Sequence, residues 1–307
     1  MDMSLTALRI LREVAERGSF TAAAAASGYT QSAVSRQAAS LEAAVGRALF
    51  ERRRDGVRLT EAGRTLLRRA ARALDELDSA QRELTGERPE RVLIRLGAFT
   101  SAGAWLVPRA AAELRARGDV DLVTQTGSTR SLVRALRAGS LDLAVLALTP
   151  PFRPFDEETP ELAAIKISDH ELLVALPEAH PLAMADSIAV QDLADQPWVA
   201  GRASGGDPAL GVWPGLPGRA RVVHSSPDWL AKLHLVATGA GLTTVPQMLL
   251  PVLPRGVRAL PVVGGSHEQR QAFVARVPGA AGASERALRA VEDALREAAF
   301  QLTVGPR

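Results

Sequence analysis

"GYTQSAVSRQAASLEAAVG", residues 28–46, begins and ends on glycine and changes character in between. Thr30 is a residue type whose hydroxyl caps helix starts, and Gly46 a type that closes helix ends. Between them, Gln31 to about Val45 reads as one helix. Its first turns, "TQSAVSRQ" (30–37), hold a Gln, hydroxyls and an Arg but almost no large apolar group. Gln31, Ser32, Ser35 and Arg36 fall on one face, at spacings of one, three and four. A helix that shows such a face between two apolar-patterned neighbours reserves it for something other than a core.

Toward the N-terminus, Leu5, Leu8, Leu11 and Val14 recur every three residues and predict a first helix that ends at Gly18. Ser19 can cap a second helix, Phe20 to Ala26, whose alanines allow a neighbour to approach closely. Ser27-Gly28-Tyr29 reads as a turn. Three short helices with a tight glycine turn between the second and third make a helix-turn-helix.

Toward the C-terminus, "LFERRRDGVRLT" (49–60) places two short strands either side of Asp55-Gly56, a pair that favours a two-residue hairpin turn. The hairpin carries Arg52, Arg53, Arg54 and Arg58 and reads as a basic wing. Thr60 can cap a long helix with apolar groups at Leu67, Ala70, Leu74, Leu77 and Leu84, and Gln81 within the same series. About 25 residues of helix would extend ~38 Å. Such a stripe predicts pairing with the same helix of a second subunit, the alternative being burial on its own domain.

The net charge is only +3, yet residues 36–72 hold ten arginines against four acids. A basic excess concentrated at one end fits a phosphate backbone; a solvated helix face would look similar. Only Lys166 and Lys232 among the 37 basic residues are lysine, so the arginine preference is compositional and carries no functional weight.

A chain of 307 residues is long for one core and predicts more than one domain. No stretch approaches the roughly 18 apolar residues that span a bilayer. "MDMSLTALRI" lacks the pattern of a secretory signal, so a cytoplasmic location without membrane contact is expected. The absence of cysteine excludes disulfides, thiol redox sensing and thiolate metal sites. The five histidines (170, 180, 224, 234, 267) have no metal-ligand spacing, and neither H-E-x-x-H nor G-x-S-x-G occurs. "GRASGG" (201–206) is no nucleophile elbow, and "GAGLTT" (239–244) lacks the third glycine of a dinucleotide loop. The expectation is a protein that is not an enzyme and carries no metal or cofactor.

Beyond a polar break at residues 85–90, strand-like runs alternate with helical patterns. "VLIRLGAF" (92–99), "VDLVTQT" (120–126), "LDLAVLAL" (141–148) and "ELLVALP" (171–177) are interleaved with helices at 102–117 and 130–138, and a last helix is expected over 284–302. This predicts an α/β region with mainly parallel sheets, as one domain or two.

"GSFTAAAAASGYTQSAVSRQAASLEAAVGRALFERRRDGVRLTEAG" (18–63) resembles the N-terminal signature of the LysR-type transcriptional regulators in order and spacing. "RLGAFTSAGAWLVPRAAAELRARG" and "LRAGSLDLAVL" look like that family's first effector subdomain. "LVALPEAHPLA", "DLADQPWVA" and "LVATGAGLTTVP" look like the second. The resemblance implies a winged helix-turn-helix (1–60), a linker and dimerisation helix (61–86), and an effector-binding region (91–307). The last would consist of two α/β subdomains of periplasmic-binding-protein type, 91–163 plus 266–307 and 164–265, with a cleft between. The chain departs from the family at Ser27 and Tyr29, where an aliphatic contact is usual, and over 201–223, where Pro and Gly replace a usual helix.

A recognition helix needs short side chains that let the backbone approach the major groove, plus a few long ones with donors and acceptors. Gln31, Ser32, Ser35 and Arg36 meet that need, and they match the family's DNA-contacting positions. Thr30, Arg52 and Thr60 are assigned to phosphate, with Arg53, Arg54 and Arg58 beside them. Polar groups at strand-to-helix junctions suit anions and carboxylates. Thr100, Ser101, Gly127, Ser128 and Thr129 are such groups, and Arg202 and Ser204 could close on the ligand from the other lobe. For each, an ordinary helix cap is an equal reading. Trp198, Trp213 and Trp229 either line that pocket or belong to a core. The expected partners are double-stranded DNA, a small and polar or anionic effector (a carboxylate by this chemistry), further copies of the chain as a dimer or tetramer, and RNA polymerase if the protein activates. A constitutive DNA binder whose C-terminal region only oligomerises remains the alternative.

Overall fold

The structure, a computed structural model, describes residues 3–53, 56–84, 91–118, 120–152, 161–201, 211–216, 218–265, 268–279 and 284–304. It begins with α1 (Leu5–Arg17), where the Ser4 hydroxyl accepts from Ala7 N at 3.1 Å. Its buried face is Ala7, Leu8, Ile10, Leu11 and Val14, while Leu5 is exposed. A three-residue repeat slips about 60° per step on a helix of 3.6 residues per turn, so Leu5 and Val14 cannot share a face.

α2 (Phe20–Ser27) and α3 (Gln31–Val45) are capped by the Ser19 and Thr30 hydroxyls, which accept from Ala22 N and Ala33 N. Ile10, Val14, Ala23, Ala24 and Val34 form one cluster, with Phe20, Phe50 and Val57 against it. The turn needs no aliphatic residue at 27 or 29. The Ser27 hydroxyl donates back to Ala23 O at 2.7 Å, and Tyr29 stays exposed.

Strands β1 (Phe50–Arg53) and β2 (Gly56–Leu59) form the antiparallel wing. Arg53 pairs with Gly56, so Gly56 is the first residue of β2 and not, as expected, the second residue of the turn. The physical reason is a close approach. Val57 N donates to Gly18 O at 2.8 Å, and a Cβ on Gly56 would stand 2.5 Å from that same oxygen. Gly56 also has φ +128, a backbone state that side chains disfavour.

α4 (Glu61–Leu84) follows. Leu67, Ala70 and Leu74 are buried with Leu8, Leu11, Leu41 and Leu49 in a second cluster, which also holds Ala138 from far along the chain. Leu77 and Leu84 are exposed. The first half of the stripe therefore packs on its own chain, and only the second half is left uncovered.

The chain forms two compact units, one built on Met1–Ala147 and Ala272–Arg307, the other on Ser168–Gln271. In the first, β3 (Val92–Ala98) leads to α5 (Thr100–Ala104) and α6 (Leu106–Arg117), β4 (Val120–Thr126) to α7 (Thr129–Arg137), and then β5 (Leu143–Leu148). β3 runs parallel to β4 on one side and to β5 on the other. The helix expected at 102–117 is two helices, broken at Trp105. Pro108 explains the break: in a continuous helix its ring would meet the Ala104 carbonyl and its missing N–H would leave that oxygen unpaired.

β6 (Ala163–Pro177) is a 15-residue strand that runs from the first unit into the second. The second unit continues with β7 (Ile188–Ala189), β8 (Pro197–Ala200), β9 (Arg221–Ser225), α8 (Trp229–Ala237), β10 (Thr243–Pro246), β11 (Val257–Leu260) and β12 (Val262–Val263). β8–β9 and β7–β12 are parallel, but β10 and β11 lie antiparallel on β6. The expectation of mainly parallel sheets misses these two. A helix between strands signals a crossover, not the direction in which a long shared strand is met. Trp198 and Trp213 are buried together with Leu172, Val174 and Leu242, which makes them core residues. β13 (Gln269–Arg276) returns the chain to the first unit, and α9 (Glu285–Val304) packs on α6.

Candidate nucleic-acid interface

The two faces of α3 separate cleanly. Val34, Ala38 and Leu41 are at most 3% exposed, whereas Gln31, Ser32 and Arg36 are exposed and Ser35 half-buried. Burial of the apolar face holds the helix, so the polar face is presented by a rigid element. Ala39 and Ser40 are exposed as well and continue the stripe by one more turn. The same four-residue step that relates Gln31 and Ser32 to Ser35 and Arg36 reaches both.

Thr30 Oγ1 accepts from Ala33 N at 3.2 Å and lies 3.1 Å from the Ser32 hydroxyl. Thr60 Oγ1 donates to Ala48 O at 2.8 Å and accepts from Gly63 N at 3.0 Å, which seats α4 against the end of the wing. On the wing, Arg53 pairs with Glu51 at 3.0 Å with both side chains about half exposed, a pair of little net strength. The Arg52 guanidinium sits 5.5 Å from the Phe20 ring centroid, and Phe20 in turn meets Phe50 edge-on at 5.3 Å. Arg58 is exposed on β2, opposite Glu51. Arg54 lies outside the described residues.

One determinant escaped the sequence reading. Glu42 Oε1 accepts from Leu49 N at 2.7 Å and Phe50 N at 3.2 Å, so a carboxylate of α3 ties down the start of the wing. An acid eight residues ahead of a strand has no recognisable pattern.

The effector candidates fall at one edge of the first unit. Ala98 and Thr126 are register partners, and Gly127 N donates to Ala98 O at 3.1 Å. Thr100 and Ser101, on α5, thus stand beside Gly127, Ser128 and Thr129 at the C-terminal ends of two parallel strands. Ser101 is buried and Thr100 and Ser128 are exposed. Ser128 caps α7 by accepting from Ser131 N at 3.2 Å. Thr129 Oγ1 donates to Ala147 O and accepts from Ala147 N, which ties α7 to β5. Arg202 and Ser204 lie outside the described residues.

In the second unit Lys232 is 1% exposed, with its ammonium 3.8 Å from the Trp229 ring centroid. Burial lowers its pKa to about 8, against the opposing charge of Asp228. Burial, helped by the Arg270 charge, likewise lowers His170 to about 4. Among the described residues no group of His, Asp or Glu is placed to hold a metal ion, and no helix is long and apolar enough to cross a membrane.

Two family models match the chain. The bacterial regulatory helix-turn-helix protein, lysR family, covers residues 5–64, and the LysR substrate binding domain covers residues 87–300. A probable hydrogen peroxide-inducible genes activator of Mycobacterium avium is 32% identical over 255 residues, 81% of this chain and 79% of that protein. Among solved structures, full-length CbnR complexed with its target DNA superposes with TM-score 0.56 at 20% identity, covering 96% of this chain and 100% of that one. Full-length LysG from Corynebacterium glutamicum with bound effector Arg gives TM-score 0.54 at 21% identity, over 97% and 99% of the two chains.

Proposed function

The chain belongs to the LysR-type transcriptional regulators, DNA-binding proteins with an effector-binding domain and not enzymes, and from that premise we propose that α3 reads bases in the major groove while the β1–β2 wing holds the flanking phosphates. The observation that carries this reading is the exposed polar stripe of α3 opposite its buried Val34, Ala38 and Leu41. Gln31 is suited to a bidentate pair with adenine and Arg36 to guanine or phosphate, with Ser32 and Ser35 as short donors between them. Arg52, Arg53 and Arg58 supply charge to phosphates, as does Arg54. Thr30 offers its hydroxyl at the helix start. The Thr60 proton is engaged by Ala48 O, so its part is to seat the wing.

The effector in this reading is a small polar or anionic molecule, a carboxylate by preference. It meets Thr100, Ser101, Gly127, Ser128 and Thr129 at the ends of β3 and β4, with Arg202 and Ser204 as further ligands. Parallel-strand C-terminal ends with adjacent helix starts are a recurrent ligand position in α/β folds. CbnR was solved with DNA and LysG with arginine, which supports these two ligand classes. The peroxide response named for the mycobacterial relative is not carried over, because reversible thiol oxidation needs a cysteine and this chain has none. Leu77 and Leu84, exposed along α4, favour a dimer through that helix or a tetramer built from it. Bacterial promoter DNA places the protein in the cytoplasm, and contact with RNA polymerase accompanies an activating role.

Selection from a random double-stranded DNA pool tests the reading. Enrichment of two related half-sites is expected, and recovery of no common sequence would overturn it. A rise in melting temperature with a panel of carboxylates tests the effector; stabilisation only by compounds that carry no carboxylate, whether amines or wholly apolar molecules, would contradict it.

A further inference from the structure

α7 belongs to the α/β region, yet its C-terminal end is built into the hydrophobic core of the winged helix-turn-helix. Ala138 is 1% exposed and shares a cluster with Leu8 and Leu11 of α1 and with Leu67, Ala70 and Leu74 of α4. The Glu16 side chain, near the end of α1, is hydrogen-bonded to Ser140 and loses enough water there for its carboxyl pKa to rise. Gly139 passes so close to α4 that a Cβ on it would lie 3.0 Å from the Ala71 Cβ. At the C-cap of α1, beside Glu16, a Cβ on Gly18 would lie 2.8 Å from an Arg134 guanidinium nitrogen. About two turns of chain, from Arg134 to Ser140, thus meet α1 and α4, with Ala138, Gly139 and Ser140 small enough to let backbones approach.

We propose that the Arg134–Ser140 end of α7 is a docking surface for the DNA-binding domain of the same chain, and that this dock fixes the direction in which α3 is presented. The contact leaves α3 uncovered, since Gln31, Ser32 and Arg36 are exposed with the dock closed. It therefore acts on orientation and does not mask the helix. Orientation matters where two half-sites must be met at a set spacing, because the second contact gains only if geometry permits both. The dock depends on no ligand. That its remote end, Ser128 and Thr129, relays effector occupancy to the dock rests on the effector reading above.

The absence of cysteine makes a direct test clean. In the full chain carrying Ala71→Cys and Gly139→Cys, mild oxidation is expected to close a disulfide within one chain, since the 3.0 Å separation needs to open by only about 0.5 Å to enter the Cβ–Cβ range of such bonds. A failure to form it, or a bond formed only between chains, would overturn the dock. The second variant is Ala138→Arg, whose long cation cannot fit the cluster. Binding to a DNA carrying one selected half-site should stay as in the unmodified protein, which shows that the DNA-binding domain is folded. Binding to the two-half-site DNA should weaken at least about five-fold. Unchanged two-site binding would overturn the role in orientation. If selection returns no enriched DNA, the DNA-reading proposal fails while the cross-link still decides the dock.

Discussion

Glu42 Oε1 and Leu49 N stand 2.7 Å apart, with Phe50 N at 3.2 Å from the same oxygen, so α3 and the wing are joined by one carboxylate. Leu49 is fully buried, and its N–H has no water to fall back on. An acid with a structural task thus sits inside a strongly basic stretch, where charge counting alone would treat it as a blemish.

Glu42→Ala is expected to lose about 1–3 kcal/mol in denaturant unfolding, the cost of leaving buried donors unpaired. Glu42→Gln, which keeps an acceptor oxygen, should lose less. Equal losses in the two variants would show that the hydrogen bonds are not what the carboxylate contributes.

Lys232 gives a pH signature. Burial holds its pKa near 8 against an ordinary 10.5, so between these values the unfolded chain binds more protons than the folded one. Stability attributable to this residue therefore rises with pH across that window. Lys232→Met should flatten the rise and be more stable than the parent at pH 7, by up to ~3 kcal/mol. A variant less stable at pH 7, with the slope retained, would mean that the contact with Trp229 outweighs desolvation.

His170 works in the acid range. It stays neutral until about pH 4 in the folded chain but protonates near 6.5 when unfolded, so stability falls as pH drops between these values. His170→Gln should remove that part of the acid sensitivity in thermal melts collected from pH 7 to pH 4. An unchanged profile would place the sensitivity elsewhere.

Most of the winged helix-turn-helix was legible because its signals are local. Ser19, Thr30 and Gly46 cap the helices they were read to cap, and the polar face of α3 follows from spacing alone. Long-range relationships were not legible. Nothing near Glu42 announces that it reaches Leu49, and nothing near Ala138 announces that it completes a cluster with Leu8 and Leu74. The split at Trp105 was within reach, since Pro108 stood in the sequence and its effect on a preceding turn is general. The direction of β10 and β11 was not, because four-residue strands are too short to separate a continuous apolar run from an alternating one. For the effector candidates, the hydroxyls of Ser128 and Thr129 each have an observed internal partner, which is why a cap and a ligand contact look alike in sequence.

The central claim is that α3 reads bases while the wing grips the backbone, and competition binding of Gln31→Ala and Arg53→Ala tests it most directly. With selected and scrambled DNA side by side, Gln31→Ala should lose about 1–3 kcal/mol on the selected sequence only, and Arg53→Ala should weaken both alike and lower the salt dependence. A Gln31→Ala protein that loses equally on both DNAs would contradict the account.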